Sequence, residues 1–176
     1  MSNNAPINIP RKLLPRAVAF LIIFLAFQMG WQALRGTPVE RVVIHDATVQ
    51  PATFLINMLT PSRHAHAVMF RIDSLRGGVL VANGCEGMDA VFLLLAAFAV
   101  TPVSWSARGT GVLFGTVVVF AVNQARILSL FYAVGVNPRL FETLHEIVAP
   151  IVVILLVSGY FYGWLLRTIN RTVPAR

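Results

Sequence analysis

Four apolar runs, each about long enough to cross a lipid bilayer, leave this chain few folds to choose from. A hydrocarbon core of about 30 Å needs roughly 17–25 mostly apolar residues per helix. Such runs lie at 17–34, 88–103, 110–134 and 147–166. Of the 176 residues 57% are hydrophobic and only 12% are charged, outside the usual range of a soluble domain. The pattern predicts an all-α polytopic membrane protein of about four transmembrane helices, with a small α+β extracytoplasmic segment between the first two. Arg11, Lys12 and Arg16 precede the first run, as basic residues precede a signal peptide. The run is nevertheless longer than the usual signal core of roughly 7–15 residues, so a retained helix is expected.

The net charge of +7 would suggest nucleic acid in a soluble protein, but here the cations flank the apolar runs and point to topology instead. Arg11, Lys12 and Arg16 precede the first run, Arg108 lies between the second and third, and Arg167, Arg171 and Arg176 follow the fourth. These flanks hold no acids. The seven acids, Glu40, Asp46, Asp73, Glu86, Asp89, Glu142 and Glu146, all fall on the opposite side or at its boundary. The positive-inside rule then predicts that both termini are cytoplasmic, with tails at 1–16 and 167–176, and that residues 35–87 form one sizeable outer segment.

Within that segment, Val39–Asp46 reads as a short strand and Pro51–Pro61 as an amphipathic helix on the membrane surface, carrying Phe54, Leu55, Met58 and Leu59 at helical spacing. Val68, Phe70 and Ile72 alternate with Met69, Arg71 and Asp73, Gly77-Gly78 offers a turn, and Val79–Ala82 resumes a strand, which predicts a hairpin. The remaining loops, 104–109 and 135–146, are short, so helices two to four should pack as antiparallel neighbours. Gly111-x-x-x-Gly115 and Gly159-x-x-x-Gly163 would allow close helix approach.

Chemistry concentrates at one depth. Cys85 is the only cysteine, which excludes an internal disulfide, a Cys-x-x-Cys pair and a multi-thiolate metal site. It precedes the first turn of helix two, where the helix dipole would favour a thiolate. Arg126 stands inside an apolar helix, where a cation is costly unless it is paired or reaches water. Counting from Thr110, it lies roughly 24 Å across, in the outer half of the bilayer. Asn123 is one turn earlier on nearly the same face, with Gln124 and Ser129 nearby. His145 opens the fourth helix on the same outer side, with a near-neutral pKa suited to proton transfer. Taken singly, each has a structural reading: an inert buried thiol, a snorkelling arginine, an interfacial histidine. Their convergence makes Cys85, Arg126 and His145 the candidate catalytic set. Asp89 and Glu86 join Asn123 as candidate supporting residues, Asp89 either pairing with Arg126 or capping helix two.

Other chemistries fail on spacing. His145-Glu146 opens like His-Glu-x-x-His, but Ala149 takes the second histidine position. His64-x-His66 lacks further ligands, and no Gly-x-Ser-x-Gly occurs. No metal or cofactor is expected, and no nucleic-acid partner.

Three motifs in order, Asn83-Gly84-Cys85-Glu86-Gly87, Asn123-Gln124-Ala125-Arg126-Ile127 and His145, resemble the exosortase and archaeosortase membrane proteins, closest to the short exosortase H type. The likeness covers roughly 50–166. It implies a sortase-like cysteine transpeptidase in the bacterial inner membrane, its active site facing the periplasm. Its substrates would be secreted proteins ending in a sorting signal of short motif, membrane helix and basic tail, passed through a thioester to an unknown acceptor nucleophile. It further implies Cys85 as nucleophile, Arg126 as transition-state stabiliser and His145 as acid/base. Glu86 departs from the pattern, which more often has a small or amide residue there. A carboxylate beside Cys85 opposes thiolate formation. The competing class is a non-enzymatic membrane assembly or transport subunit, in which Arg126 pairs with Asp89 and Cys85 is passive. A membrane cysteine protease that ends in water shares the acylation step.

Overall fold

The computed structural model describes residues 13–75, 77–81 and 84–172; Arg11, Lys12, Asn83 and Arg176 lie outside them. The chain is mostly helical with one small sheet. Among the described residues, three helical stretches are long and apolar enough to cross a membrane, Leu13–Ala33, Trp105–Val134 and Pro138–Asn170, which marks a membrane protein.

Helix α1 (Leu13–Ala33) begins before the expected tail ends at residue 16 and is almost wholly exposed, with only Trp31 buried. The fourth expected span, 88–103, is shorter than the pattern suggested. Helix α4 covers Met88–Val100, 13 residues or about 20 Å, less than a hydrocarbon core of about 30 Å. Pro102 ends it. The residue before a proline is driven out of the α region, and Thr101 is extended at φ −79°, ψ 129°. Helix α5 (Trp105–Val134) then starts earlier than the expected residue 110, because Ser104 caps it by accepting from the Ala107 N–H at 3.4 Å.

The expected outer loop 135–146 is three residues long. Asn137 caps helix α6 (Pro138–Thr143), accepting from the Arg139 N–H at 2.9 Å, with Pro138 at the first helical position. A π-helical turn, Leu144–Val148, leads without a break into α7 (Ala149–Thr172), which runs past the expected end at 166. The wide turn has a local cause. Pro150 has no N–H to give and its ring crowds the carbonyl four residues back, so the helix upstream widens to bonds five residues apart.

The same device overturns the expected strand at 39–46. Residues 38–49 are helical: α2 (Pro38–Arg41) continues as a π-helix, Val42–Val49, immediately before Pro51 in α3 (Gln50–Leu59). Thr37-Pro38-Val39-Glu40 is a helix-start signature, with Glu40 accepting from the Gly36 N–H at 2.8 Å. That local signal, with Ile44, Thr48 and Val49 turned to the core, outweighs the strand preference of the Val-Val-Ile run. In α3 the core takes Ala52, Thr53 and Ile56, leaving the expected surface residues Phe54, Met58 and Leu59 outward.

The expected hairpin is a three-stranded antiparallel meander, β1 (His66–Val68), β2 (Arg71–Ser74) and β3 (Gly77–Leu80). The alternation seen across 68–72 is interrupted by a turn at Met69-Phe70, with Met69 at φ 52°. Ile72 and Val79, paired in register, point into a core shared with Trp31, Ile56, Val81, Phe92, Ile127 and Phe131. The small sheet and α3 are thereby fused to α1, α4 and α5 at one end of the bundle. A second core joins Leu94, Phe98, Val119, Val153 and Val157 of α4, α5 and α7.

The two glycine pairs behave differently. A Cβ on Gly111 would lie 2.5 Å from Phe98 and 2.7 Å from Trp164, and one on Gly115 2.5 Å from Leu94 and 2.7 Å from Tyr160. Gly159 and Gly163 face open space. Gly111→Ala and Gly115→Ala should therefore each destabilise the bundle by about 1–3 kcal/mol through overpacking, while Gly159→Ala and Gly163→Ala cost nothing comparable. Thermal unfolding in one detergent checks the contrast.

Candidate active site

Gly84–Gly87 are the last four residues of the connection from the sheet into α4. Gly84 (φ 88°) and Gly87 (φ 84°) adopt the left-handed conformation that glycine takes without strain. Gly87 is also held by proximity. A Cβ there would come within 2.9 Å of the Asn123 side chain on α5. The glycine two residues after the cysteine and the asparagine three before the arginine are thus one contact, which locks the loop against α5.

The loop sets Cys85, 4% exposed, in the core shared by the sheet, α1, α4 and α5. The Arg126 guanidinium reaches it from α5, with Nη1 donating to the Gly84 carbonyl at 3.1 Å and Nη2 to Cys85 Sγ at 3.7 Å. His145, on the π-helical turn, brings Nδ1 to 3.7 Å from the same sulfur. The ring of Phe141, one turn earlier, stacks on the imidazole at 5.6 Å between centroids and 6° between planes. Cys85, Arg126 and His145, singled out from the sequence by depth, meet at one sulfur atom.

The supporting residues divide. Asn123 is 3% exposed; it packs on Gly87, and its Oδ1 has no hydrogen-bond partner among the described residues. Asp89 neither pairs with Arg126 nor supplies a side-chain cap to α4. It is exposed in the first turn and accepts from Gln28 Nε2 of α1 at 2.8 Å. Glu86 is buried and accepts from Trp31 Nε1 at 2.9 Å and from the Gly84 N–H at 2.6 Å. Trp31 was missed in the sequence; its only sign was a tryptophan near the end of an apolar helix, one turn from Gln28. Phe141 was legible as the residue four before His145. His64 and His66 are exposed, and no group of three metal-ligating side chains occurs among the described residues.

The expected activation of the thiol by the helix dipole is outweighed. Burial pushes the Cys85 thiol above its ordinary value; the Arg126 charge pulls it down, and the Glu86 carboxylate adds to the rise. A buried neutral thiol beside an imidazole is the outcome.

Two apolar clefts are lined in part by Arg126. One, of about 430 Å³, lies among α1, α4 and α7, lined by residues such as Phe20, Leu93, Val153 and Phe161, and ends at Gly84, Asp89 and Arg126. The other, of about 360 Å³, lies between α5 and the α6–α7 helix, with Leu144, Val148 and Val152 on its wall. Comparison with family models, with curated proteins and with solved structures found no match to this chain.

Two outcomes are expected. Alkylation of Cys85 should speed up toward alkaline pH with a midpoint above that of an exposed cysteine, and Arg126→Gln should push the midpoint higher by removing the cation that favours thiolate; pH-dependent maleimide kinetics check both. Gly87→Ala should be severely disruptive, since the added carbon meets Asn123 in a backbone conformation that disfavours it. Loss of folded yield, beside a tolerated Gly159→Ala, is the measurement.

Proposed function

We propose that this protein is a membrane-embedded, sortase-like cysteine transpeptidase of the exosortase type, with Cys85 as nucleophile, Arg126 as oxyanion donor and His145 as acid/base. The observation that carries this reading is the meeting of Nη2 of Arg126 and Nδ1 of His145 at Cys85 Sγ, each at 3.7 Å. The short α4 serves as a fourth crossing, both termini lie in the cytoplasm, and the site faces the periplasmic side of a bacterial inner membrane.

The chemistry follows from these atoms. Cys85 Sγ attacks the scissile amide carbon while its proton passes to His145 Nδ1. The carbonyl oxygen gains charge within reach of Arg126, whose Nε is buried and without an acceptor among the described residues, and so free to donate. His145 returns its proton to the leaving amine, and the acyl group remains as a Cys85 thioester. An acceptor amine, deprotonated by His145, then attacks the thioester carbon, and the thiol is restored. The apolar clefts beside Arg126 suit substrates that arrive through the lipid, as a sorting signal with a membrane helix would.

Co-expression with a secreted protein ending in motif, membrane helix and basic tail tests the reading. Wild type should shorten the substrate and form a hydroxylamine-sensitive adduct on Cys85. Cys85→Ala should leave the substrate intact, and Arg126→Ala should slow acylation by roughly 10²–10³-fold, the scale for losing an oxyanion donor. Normal processing by a stably inserted Cys85→Ala overturns the proposal. An amine-linked product marks transpeptidation and a free carboxylate marks proteolysis ending in water.

A further inference from the structure

Glu86 is a buried carboxylate next to the nucleophile, and no cation pairs with it: the ion pairs among the described residues are His45–Asp46 and Arg71–Asp73. Such a group is costly to keep unless its oxygens are satisfied. Both are. Oε1 takes the Trp31 indole N–H at 2.9 Å, and Oε2 takes the Gly84 N–H at 2.6 Å. Gly84 in turn gives its carbonyl to Arg126 at 3.1 Å, and Arg126 also holds the sulfur. A continuous chain of hydrogen bonds therefore runs from α1 through Glu86 and the loop backbone to the guanidinium.

Helix α1 is joined to α4 by apolar packing as well, with Phe27 stacked on Phe92. Its apolar length is otherwise exposed, and Trp31 is its one buried residue. Near its outer end it has a second polar tie, Gln28 to Asp89, which bypasses the loop. The site's geometry thus depends on a membrane helix that supplies none of the three reacting groups.

We propose that Glu86 is a positioning residue that fastens the Cys85 loop to α1 through Trp31, fixing the Gly84 carbonyl and the thiol against Arg126. This rests on the reading of Cys85 as the nucleophile, but its test does not need a substrate. The groups facing the thiol are Glu86 itself, Arg126 of α5 and His145 of the π-helical turn, and the last two are left unchanged.

The experiment is maleimide labelling of Cys85 across pH in the full-length protein in membranes, for wild type, Trp31→Phe, Glu86→Gln, the double variant and Gln28→Leu. Trp31→Phe keeps the ring and removes the donor; it should loosen the loop and speed labelling by about tenfold, the scale of one hydrogen bond to a charged group. Glu86→Gln should speed labelling and also lower its pH midpoint, because the carboxylate beside the sulfur is gone. The double variant should label no faster than Glu86→Gln alone, since both changes break one link. Gln28→Leu, which cuts the parallel tie, should label as wild type does. Labelling unchanged in both single variants, multiplicative effects in the double, or a Gln28→Leu effect as large as that of Trp31→Phe overturns the proposal. If Trp31→Phe does not insert, the midpoint of Glu86→Gln still decides: no downward shift overturns it. Confirmed coupling together with an unprocessed substrate in wild type would sink the transpeptidase reading and leave the positioning role standing.

Discussion

A half-buried arginine in an apolar helix must find acceptors, and the site is organised around how Arg126 finds them. No carboxylate among the described residues pairs with it; Asp89, the expected candidate, is engaged by Gln28. The guanidinium takes instead a backbone carbonyl and a sulfur from the loop that enters α4. An acceptor of that kind needs a loop brought close to the helix. Asn123, one turn away on α5, permits the approach because Gly87 opposite it has no side chain. Arg126 and Asn123 act as a pair on one helix face, one drawing the loop in and the other fitting its narrowest point.

The fold that delivers these groups was legible where apolar length decides structure and less so where proline does. Helices α1, α5 and α7 follow from the apolar runs. The end of α4 follows from Pro102 through Thr101, and the π-helical turns before Pro51 and Pro150 from the missing N–H of each proline. These are local effects that apolar counting overlooks. The strand expected at 39–46 failed because a Val-Val-Ile run speaks for strand only when nothing nearby starts a helix, and Thr37-Pro38-Val39-Glu40 does.

The site was legible in part for a simpler reason. Rise per residue converts sequence position into depth, so Cys85, Arg126 and His145 could be placed at one level without knowing how the helices pack. Depth gives no azimuth. The Trp31–Glu86 contact joins residues 55 apart and depends on α1 lying against α4, and Gly111 and Gly159 carry the same motif although only the first meets a neighbour. Such facts belong to helix order, which loop lengths constrain only weakly.

Helix order also accounts for the state of the thiol. At the mouth of α4 the helix dipole favours a thiolate, but its effect falls off within a turn, while removal from water acts on the whole charge. With Cys85 almost fully buried and the Glu86 carboxylate adjacent, the neutral thiol prevails despite Arg126. The neutral thiol then stands 3.7 Å from His145 Nδ1, without the desolvation cost that a buried thiolate would carry. Under the proposed chemistry the charge would appear only as the sulfur attacks, where Arg126 is already in place to meet it.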